Sequence, residues 1–547
     1  MNWTKEYDIV VIGGGVSGLA SALTGAEVGR KTLLIEKADK LGGGSSLAYG
    51  GLWFGDNHVA AAEGYEDTVD DTLTYMRFVA GDQAEDDKLS VYARRGGEAL
   101  KFFDDCGLGF KVIHGLTDHY WGKGPGASKE GRSLEPQLIS ADELGDWSDR
   151  IFVPRDQPVS LTVEEIVAWG GITNMKGWDE AVLEERRQKR VYGRGIALVM
   201  QFANQVRKRG IDVRLGCGAE RLIVENGKVT GVETEAGEFI RARDGVILAT
   251  GGYDSNEKLA EHIEGMPGWR TQFPETVAGD HLTMGGEVGA QARTIHNNFA
   301  IFLGFHVPKT KPEDNILFRQ ASICEMLCPH TMVVNRDGQR FGDEAYFQHL
   351  VPGLREYDLA KRRHVNLPCY LIFDQQYADS FSFAYRPVGA EIPDWVARGN
   401  TPAELAGALA IDPDGLAATI ERFNGFARSG VDADFGRGDA KWTLADGHDW
   451  KPARDDEAYR NPRLGTLRIA PFYGIELHPS AFVSHGLLTN PKAQVMHQRG
   501  MPIEGLYAVG NAAAHTEYGI GYQAGYSLSS GMIFGYLAAR HMAGLEG

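Results

Sequence analysis

The sequence predicts an α/β protein with a Rossmann-like dinucleotide-binding domain, and three observations support that fold class. The first is an apolar strand near the N-terminus that ends in Gly13-x-Gly15-x-x-Gly18 and leads into an alanine-rich helix. The second is a following strand that ends on the acidic Glu36. The third is a pair of later apolar strands that also end in glycine. This order of strand, glycine loop, helix and acid is typical of dinucleotide binding.

Each glycine of the loop has its own expected role. Gly13 permits the tight turn, Gly15 lets the backbone approach a pyrophosphate, and Gly18 brings helix and strand together. The helix begins at Val16 and Ser17, where free backbone N–H groups suit a phosphate. We therefore expect the pyrophosphate of the cofactor to bind at this loop.

The loop alone is compatible with NAD or FAD, and the rest of the chain favours FAD. A run rich in glycine and serine, residues 40–51, follows Glu36 directly. Two distant strands, 246–252 and 505–511, end in glycines that suit the borders of a long, bipartite cofactor. Glu36 is expected to accept hydrogen bonds from a ribose diol.

A β insert is expected before the strand at 246–252. Residues 210–215 form one predicted strand, and 219–224 and 229–234 form two more. The Asn226-Gly227 pair between the last two predicts a hairpin turn.

Length, charge and cysteine content narrow the class of protein. At 547 residues the chain exceeds one compact core, so two or more domains are expected. The formal net charge of -18 disfavours a nucleic-acid partner. The 5 cysteines lack the dense spacing of a secreted disulfide scaffold, and the N-terminus enters the first strand without an apolar signal segment. We expect a cytoplasmic protein with no transmembrane segment.

One cluster of cysteines contains residue types that bind metals. Cys324 and Cys328 precede His330, but no second pair at ligand spacing accompanies them. We therefore expect buried thiols and no metal site.

The glycine-bearing strands and their flanking segments resemble the flavoprotein superfamily of fumarate reductase, succinate dehydrogenase and the 3-ketosteroid dehydrogenases. The resemblance covers most of the chain and implies a discontinuous FAD-binding domain, residues 1–285 and 456–547, with an inserted α+β substrate or capping domain at 286–455. Gly44 stands where succinate dehydrogenases carry their flavin-linking histidine, so bound FAD is expected to be non-covalent. The residues expected to contact FAD are Gly13, Gly15, Val16, Ser17, Gly18, Glu36, Lys37, Gly43, Ser45, Ser46, Gly50, Gly51, Ala219, Thr250, Gly251, Asp280, Gly510, Asn511, Ser527 and Leu528.

The segment 519–528 separates members of this superfamily. Fumarate reductases usually have an arginine where Tyr522 stands, because a dicarboxylate needs a bidentate cation. Their nearby histidine aligns here with Phe482. A tyrosine instead donates a hydrogen bond to a neutral carbonyl, which predicts a ketone substrate.

Three tyrosines lie in segments that are similar to those of 3-ketosteroid dehydrogenases. Tyr120 lies in 118–136, Tyr346 follows a Val-Asn-x-x-Gly-x-Arg-Phe-x-x-Glu segment, and Tyr522 precedes Gly525. By this resemblance Tyr346 is the base, Tyr120 relays or stabilises its charge, and Tyr522 binds the carbonyl with a backbone N–H near Gly525.

The implied reaction is α,β-desaturation of a cyclic ketone, with a 3-ketosteroid as the first choice of substrate. The spacing after Tyr522 is closer to the Δ4-(5α) branch, whereas the Tyr120 segment resembles the Δ1 branch, so both regiochemistries stay open. A sterol-sized pocket and an ordinary core are both compatible with a set of apolar side chains: Phe299, Ile301, Phe302, Phe305 and Phe482.

Other functions compete with this interpretation. The substrate is a smaller cyclic ketone in one alternative, and in another the chain is an ene-reductase of the fumarate reductase kind, fed by a separate electron donor. A third makes the chain an electron-transfer flavoprotein subunit, although no second cofactor motif accompanies the first. The sequence does not identify the external electron acceptor.

Overall fold

The structure, a computed structural model, describes residues 2–154, 159–173, 175–296, 298, 300–309, 317–439, 461–480 and 484–545. Its strands, numbered in chain order, are β1 Lys5–Ile12, β2 Thr32–Ile35, β3 Leu52–Trp53, β4 Phe110–Val112, β5 Ser133–Pro136, β6 Ile139–Ser140, β7 Val191–Tyr192, β8 Asp212–Arg214, β9 Ala219–Glu225, β10 Lys228–Thr234, β11 Phe239–Leu248, β12 Ala292–Thr294, β13 Phe302–Val307, β14 Leu317–Arg319, β15 Thr331–Asn335, β16 Tyr357–Asp358, β17 Arg363–His364, β18 Cys369–Asp374, β19 Ala397–Gly399, β20 Phe472–Ser480, β21 His485–Leu487, β22 Gln494–Met496 and β23 Pro502–Ala508. The described α-helices are α1 Val16–Glu27, α2 Gly43–Leu47, α3 His58–Ala62, α4 Val69–Ala80, α5 Asp86–Asp105, α6 Val163–Ala168, α7 Glu180–Gln188, α8 Arg194–Lys208, α9 Glu257–Glu264, α10 Asp280–Glu287, α11 Val351–Leu354, α12 Gln375–Ser380, α13 Pro402–Leu409, α14 Pro413–Ser429 and α15 Tyr526–Met542.

The largest sheet has a parallel centre, in the order β22-β23-β11-β1-β2-β8. The second half of β1, Ile9–Ile12, is apolar and buried, and β2 is buried along its whole length, as parallel strands between helical layers usually are. Helices α1, α8 and α15 pack together beside this sheet. The predicted α/β fold class is therefore confirmed.

The parallel register brings four strand ends together. Ile12 of β1 lies beside Ile35 of β2 and Leu248 of β11, and Leu248 lies beside Ala508 of β23. The loops that follow these four residues therefore meet at one edge of the sheet, where open α/β sheets usually bind their ligands.

The predicted hairpin is present next to this sheet. Strands β9 and β10 pair antiparallel, and β10 pairs with β11. Asn226 and Gly227 form the turn with φ of 52° and 82°, which is the backbone that an Asn-Gly hairpin requires.

A second, antiparallel sheet has the order β14-β13-β20-β18-β15, and β19 pairs with β20. Most of its strands come from the range 286–455 that the sequence assigned to an inserted domain, but β20 lies in the range assigned to the FAD domain. Since the boundary expected at 455/456 falls outside the described residues, the division into domains stays a proposal. Because β20 pairs with β18 of the second sheet, the strand pairing favours a domain boundary after Ser480.

Two further properties concern the described residues alone. None of their helices combines the length and apolar character that a membrane span requires. Nor do three or more of their His, Cys, Asp or Glu side chains come together as metal ligands. Cys324 and Cys328 are buried thiols.

Candidate active site

A cleft lies over the meeting strand ends, with about 2080 Å³ of empty space when the open solvent at its mouth is included. Most of the residues that the sequence assigned to FAD line it: Gly13, Gly15, Val16, Ser17, Glu36, Lys37, Gly43, Ser45, Gly50, Gly51, Ala219, Thr250, Gly251, Asp280, Asn511, Ser527 and Leu528. The remaining three, Gly18, Ser46 and Gly510, do not line the cleft.

Those three residues support the wall of the cleft. A Cβ at Gly18 would stand 1.9 Å from the Gly13 carbonyl oxygen, so α1 packs against the loop only because Gly18 has no side chain. A Cβ at Gly510 would meet Ser17 Oγ at 2.3 Å. Ser46 is buried in α2, behind the lining residue Ser45. These positions therefore act through packing.

The floor of the cleft suits a large ligand that approaches the backbone. A Cβ added at Gly43 or Gly51 would meet nothing within 4 Å, so the space above both residues is open. Thr250 Oγ1 is buried and has no hydrogen-bond partner among the described residues. A long dinucleotide with hydroxyl and phosphate groups fits such a glycine floor, and Gly44 in the same wall offers no side chain for a covalent flavin link.

Two carboxylates and a lysine stand at the expected nucleoside end. Glu36 accepts hydrogen bonds from the backbone N–H of Gly14 at 2.6 Å and of Ala38 at 2.8 Å. Burial raises the pKa of Glu36. Lys37 Nζ pairs with Asp280 Oδ2 at 2.6 Å. These contacts hold the carboxylates of Glu36 and Asp280 in the cleft wall, where ribose hydroxyl groups can donate to their remaining lone pairs.

Asp254 also lines the cleft and was not predicted from the sequence. Neither of its carboxyl oxygens has a hydrogen-bond partner outside its own residue in the described structure. Burial raises the pKa of Asp254 to about 7. Its position in the sequence could have identified it as a cleft residue, because it lies two residues after Gly252, at the end of a strand that was already assigned to the cofactor.

The start of α15 forms another part of the wall. Gly525 is its N-cap with φ 97°, and a Cβ there would stand 2.5 Å from the carbonyl carbon of Leu52. Ser527 Oγ donates to Asn511 Oδ1 at 2.9 Å. The first turn of this helix therefore presents backbone N–H groups beside the cleft, where they favour developing negative charge.

The three predicted tyrosines lie together, but only Tyr522 lines the cleft. The rings of Tyr120 and Tyr346 meet edge to face, with centroids 6.1 Å apart. Burial raises the pKa of Tyr120 to about 12, while hydrogen bonds donated by the Tyr346 hydroxyl and the Tyr522 backbone N–H lower it. Burial raises the pKa values of Tyr346 and Tyr522 well above the usual range.

A buried polar group holds the loop that carries Tyr522. Gln523 Oε1 accepts hydrogen bonds from the Tyr75 hydroxyl at 2.5 Å and the His119 backbone N–H at 2.9 Å. The Ala524 backbone N–H points to His119 Nε2 at 3.4 Å. Burial lowers the pKa of His119 to about 3, so its imidazole is neutral. Sequence reasoning missed this support, although His119 adjoins the predicted Tyr120.

The far end of the cleft is apolar. Of the aromatic and apolar candidates named from the sequence, Phe302 lines it, whereas Ile301 and Phe305 are buried in the core under the second sheet. Phe299 and Phe482 lie outside the described residues. Further apolar residues of the lining include Leu116, Val163, Ile166, Ile172 and Ile323, and Tyr49 lines the cleft as well.

Comparison with known proteins identifies the family of this chain. Residues 8–529 match the sequence family described as FAD binding domain. A 3-oxosteroid 1-dehydrogenase from Mycolicibacterium smegmatis is 32% identical, over 98% of this chain and 97% of the relative. The chain belongs to the 3-ketosteroid dehydrogenase family of flavoproteins. As a member of this family it is an FAD-dependent oxidoreductase that acts on a CH–CH group of its donor.

Two further relatives show which ketones appear in the names of members of this dehydrogenase family. A 4-oxocyclohexanecarboxylate 2-dehydrogenase from Sinomonas cyclohexanicum is 35% identical, over 99% of this chain and 93% of the relative. The crystal structure of the 3-ketosteroid delta1-dehydrogenase from Sterolibacterium denitrificans in complex with 1,4-androstadiene-3,17-dione superposes with a TM-score of 0.87. That structure is 26% identical and the match covers 99% of this chain and all of that one.

Proposed function

We propose that this dehydrogenase introduces a C=C bond α,β to the carbonyl of a cyclic ketone, either a 3-ketosteroid or a smaller ring. The observation that carries the proposal is the cluster of Tyr120, Tyr346 and Tyr522 beside the glycine start of α15. These groups supply hydrogen-bond donors and a proton acceptor at one neutral site, which is what enolisation of a ketone requires.

The ketone oxygen is held by the Tyr522 hydroxyl and a backbone N–H near Gly525. Because burial raises the pKa of Tyr522, its hydroxyl stays protonated and donates a hydrogen bond. Negative charge that develops on the oxygen during enolisation is stabilised by these donors, and each donor of this kind contributes roughly 3 kcal/mol. The N-terminus of α15 adds favourable potential at the same place.

The proton from the neighbouring carbon goes to Tyr346 through a two-step relay. Tyr120 is half-buried, has the lower pKa of the two and loses its proton to solvent, and Tyr346 donates a hydrogen bond to the resulting phenolate. As Tyr346 accepts the substrate proton, it passes its own proton to Tyr120. Bound FAD supplies the acceptor for the hydride that leaves the next carbon.

Two ring sizes are supported by the named relatives. The Sterolibacterium structure contains a steroid diketone, and the Sinomonas relative is named for a cyclohexanone that bears a carboxylate. The apolar far wall with Phe302 and Ile323 suits the hydrocarbon of either ring system. Both Δ1 and Δ4 positions remain within the proposal.

Anaerobic mixing of the purified holoenzyme with a panel of saturated 3-ketosteroids and cyclohexanones tests this function. The oxidised-flavin absorbance is expected to fall with at least one ketone and to stay constant with the corresponding alcohol. If it stays constant with every ketone of the panel, the desaturase proposal is wrong.

A further inference from the structure

Arg194 is a buried cation that packs on the cleft-lining residue Tyr49 without lining the cleft itself. It opens helix α8 and its side chain is 2% exposed. Its guanidinium lies over the ring of Tyr49, with Cζ 4.3 Å from the ring centroid. The Nε and Nη1 atoms are buried without a hydrogen-bond partner, and no carboxylate pairs with this arginine among the described residues.

Arg319 is a second buried cation in the same region. It ends strand β14 and is fully buried. Its Nε pairs with Glu325 Oε1 at 2.7 Å, but Nη1 and Nη2 have no hydrogen-bond partner in the described structure. Its Cζ lies 4.2 Å from the ring centroid of Tyr385. Four of the five N–H donors of this guanidinium, those on Nη1 and Nη2, are therefore unused in the described structure.

The two arginines share one neighbourhood. Tyr49 lies under Arg194, and electrostatic interactions link its hydroxyl to both Arg194 and Arg319. Tyr49 lines the cleft, as do Gln320 and Ile323, which flank Arg319 in the chain. Burial raises the pKa of Cys324, whose Sγ lies 4.0 Å from the Tyr49 hydroxyl, to about 12, so this thiol is neutral.

The charges of this cluster do not balance. Arg194 and Arg319 contribute two positive charges, and Glu325 contributes one negative charge. A buried cation without a partner is costly, and buried N–H groups without acceptors add to that cost. A ligand carboxylate would remove both costs, because a guanidinium binds it through two parallel hydrogen bonds. A neutral ligand would leave the cluster unbalanced.

We propose that the substrate is a cyclic ketone that carries a carboxylate, and that Arg194 and Arg319 bind this carboxylate at the apolar end of the cleft. The proposal rests on the desaturase function above, in which Tyr522 and Gly525 hold the ketone. It names a substrate class, since a 3-ketosteroid without an acidic group does not satisfy the two guanidinium groups.

A comparison of an acid with its ester tests the proposal on the unmodified holoenzyme. The probes are 4-oxocyclohexanecarboxylate, its methyl ester and a neutral saturated 3-ketosteroid, each followed by anaerobic flavin reduction. The acid is expected to have a kcat/KM roughly 100-fold above that of the ester, mainly through KM. Equal values for acid and ester, or a preference for the neutral steroid, would overturn the proposal.

Two variants separate charge recognition from general damage. Arg194→Met should raise KM for the acid by roughly 30-fold and leave KM for the ester unchanged, while Arg194→Lys should recover part of the loss. Arg186→Met is the matched control, because Arg186 is already neutralised by Glu165 at 2.6 Å and should not affect either KM. An equal effect of Arg194→Met on acid and ester would contradict the assignment.

The experiments distinguish a failure of the carboxylate assignment from a failure of the proposed desaturase function. If no ketone of any kind reduces the flavin of the unmodified holoenzyme, the desaturase function itself fails. If neutral ketones reduce it as well as the acid does, the function stands and only the carboxylate assignment fails.

Discussion

Tyr346 and Tyr120 differ in their access to water, and this difference supports the roles proposed for them. Tyr346 is 5% exposed, whereas Tyr120 is half-buried and receives hydrogen bonds from both Tyr346 and the Tyr522 backbone. In the proposed relay the phenolate forms on Tyr120, which has the lower pKa, and the buried Tyr346 hydroxyl stays protonated until the substrate arrives. The half-buried Tyr120 exchanges a proton with water, which returns the two tyrosines to their starting protonation state.

Replacing Tyr346 by Phe should slow flavin reduction by the ketone about 100-fold or more, because the proton acceptor is lost. Bound FAD should be retained, since Tyr346 is not among the residues expected to contact FAD. Rapid-mixing measurement of flavin absorbance under anaerobic conditions gives the rate, and the visible spectrum gives the FAD content.

Tyr473→Phe is the control for this variant. The Tyr473 ring stacks on Phe373 in the second sheet, and its hydroxyl donates to Gln375 Oε1 at 2.8 Å. It should reduce flavin at the normal rate. A Tyr346→Phe protein as fast as the control would remove Tyr346 from the reaction.

Asp254 should make the flavin-free protein less stable as pH rises. Its folded-state pKa is about 7 and its unfolded value is about 4, so between these values only the folded state holds the proton. The free energy of unfolding therefore falls from pH 4 to 7, by on the order of 3 kcal/mol, and stays low above pH 7. Asp254→Asn removes this fall, so the Tm difference between variant and parent should grow over that range.

A pH series of thermal melts on both flavin-free proteins checks this prediction. Asp343, whose pKa burial also raises to about 7, is common to both proteins and cancels in the difference. A Tm difference that does not change between pH 4 and 8 would contradict the assigned ionisation of Asp254.

At the residue scale, the sequence predicted positions whose role follows from the local chain. Gly13, Gly15 and Glu36 have a recognisable spacing, and each lines the cleft. Arg194 and Asp254 were missed because what distinguishes them is the lack of a partner after folding. That property depends on tertiary neighbours that are distant in sequence.

At the element scale, α15 begins where the cofactor and the ketone oxygen are expected to meet. Its N-cap, Gly525, is pressed against Leu52 and Trp53 of β3. The positive φ and this backbone contact both require glycine, so the helix start cannot move away from the cleft without breaking the packing.

Gly525→Ala should destabilise the protein by more than about 2 kcal/mol and weaken FAD binding, because the backbone of α15 or β3 must shift. Thermal melts and FAD titration measure the two effects. Gly544→Ala, with φ 73° and nothing within 4 Å of the added Cβ, isolates the cost of the positive φ alone, about 1 kcal/mol. If both variants behave alike, the contact with β3 does not hold the helix start.

The elements differed in how well the sequence predicted them. Strands β1, β2 and β11 and the β9–β10 hairpin were expected because buried apolar runs end there in glycine, an acid or a turn. In the second sheet, β13, β15 and β18 are short and joined by long irregular connections. Their pairing depends on distant segments such as β20, so local pattern could not assign it.

At the scale of the whole molecule, FAD should act as a structural ligand. The cleft joins loops from β1, β2, β11 and β23 with the start of α15, which are far apart in the chain. A ligand that binds only the folded state at 100 times its Kd stabilises that state by about 2.7 kcal/mol. Removing FAD should therefore lower Tm, and adding FAD, but not NAD, should restore it.

Thermal melts of holo, flavin-free and reconstituted protein measure this effect. Acid precipitation should release all the flavin, as expected for non-covalent FAD beside Gly44. Flavin that stays with the precipitated chain would contradict non-covalent binding, and equal rescue by NAD would contradict the cofactor assignment.

We propose that this dehydrogenase removes two hydrogens next to the carbonyl of a cyclic ketone. An anaerobic single turnover of the holoenzyme with a saturated cyclic ketone, analysed by mass spectrometry and flavin absorbance together, tests this reaction directly. We expect one conjugated enone, two hydrogens lighter than the ketone, for each flavin reduced. Flavin that stays oxidised with every ketone, or a reduced flavin without any enone, would contradict it.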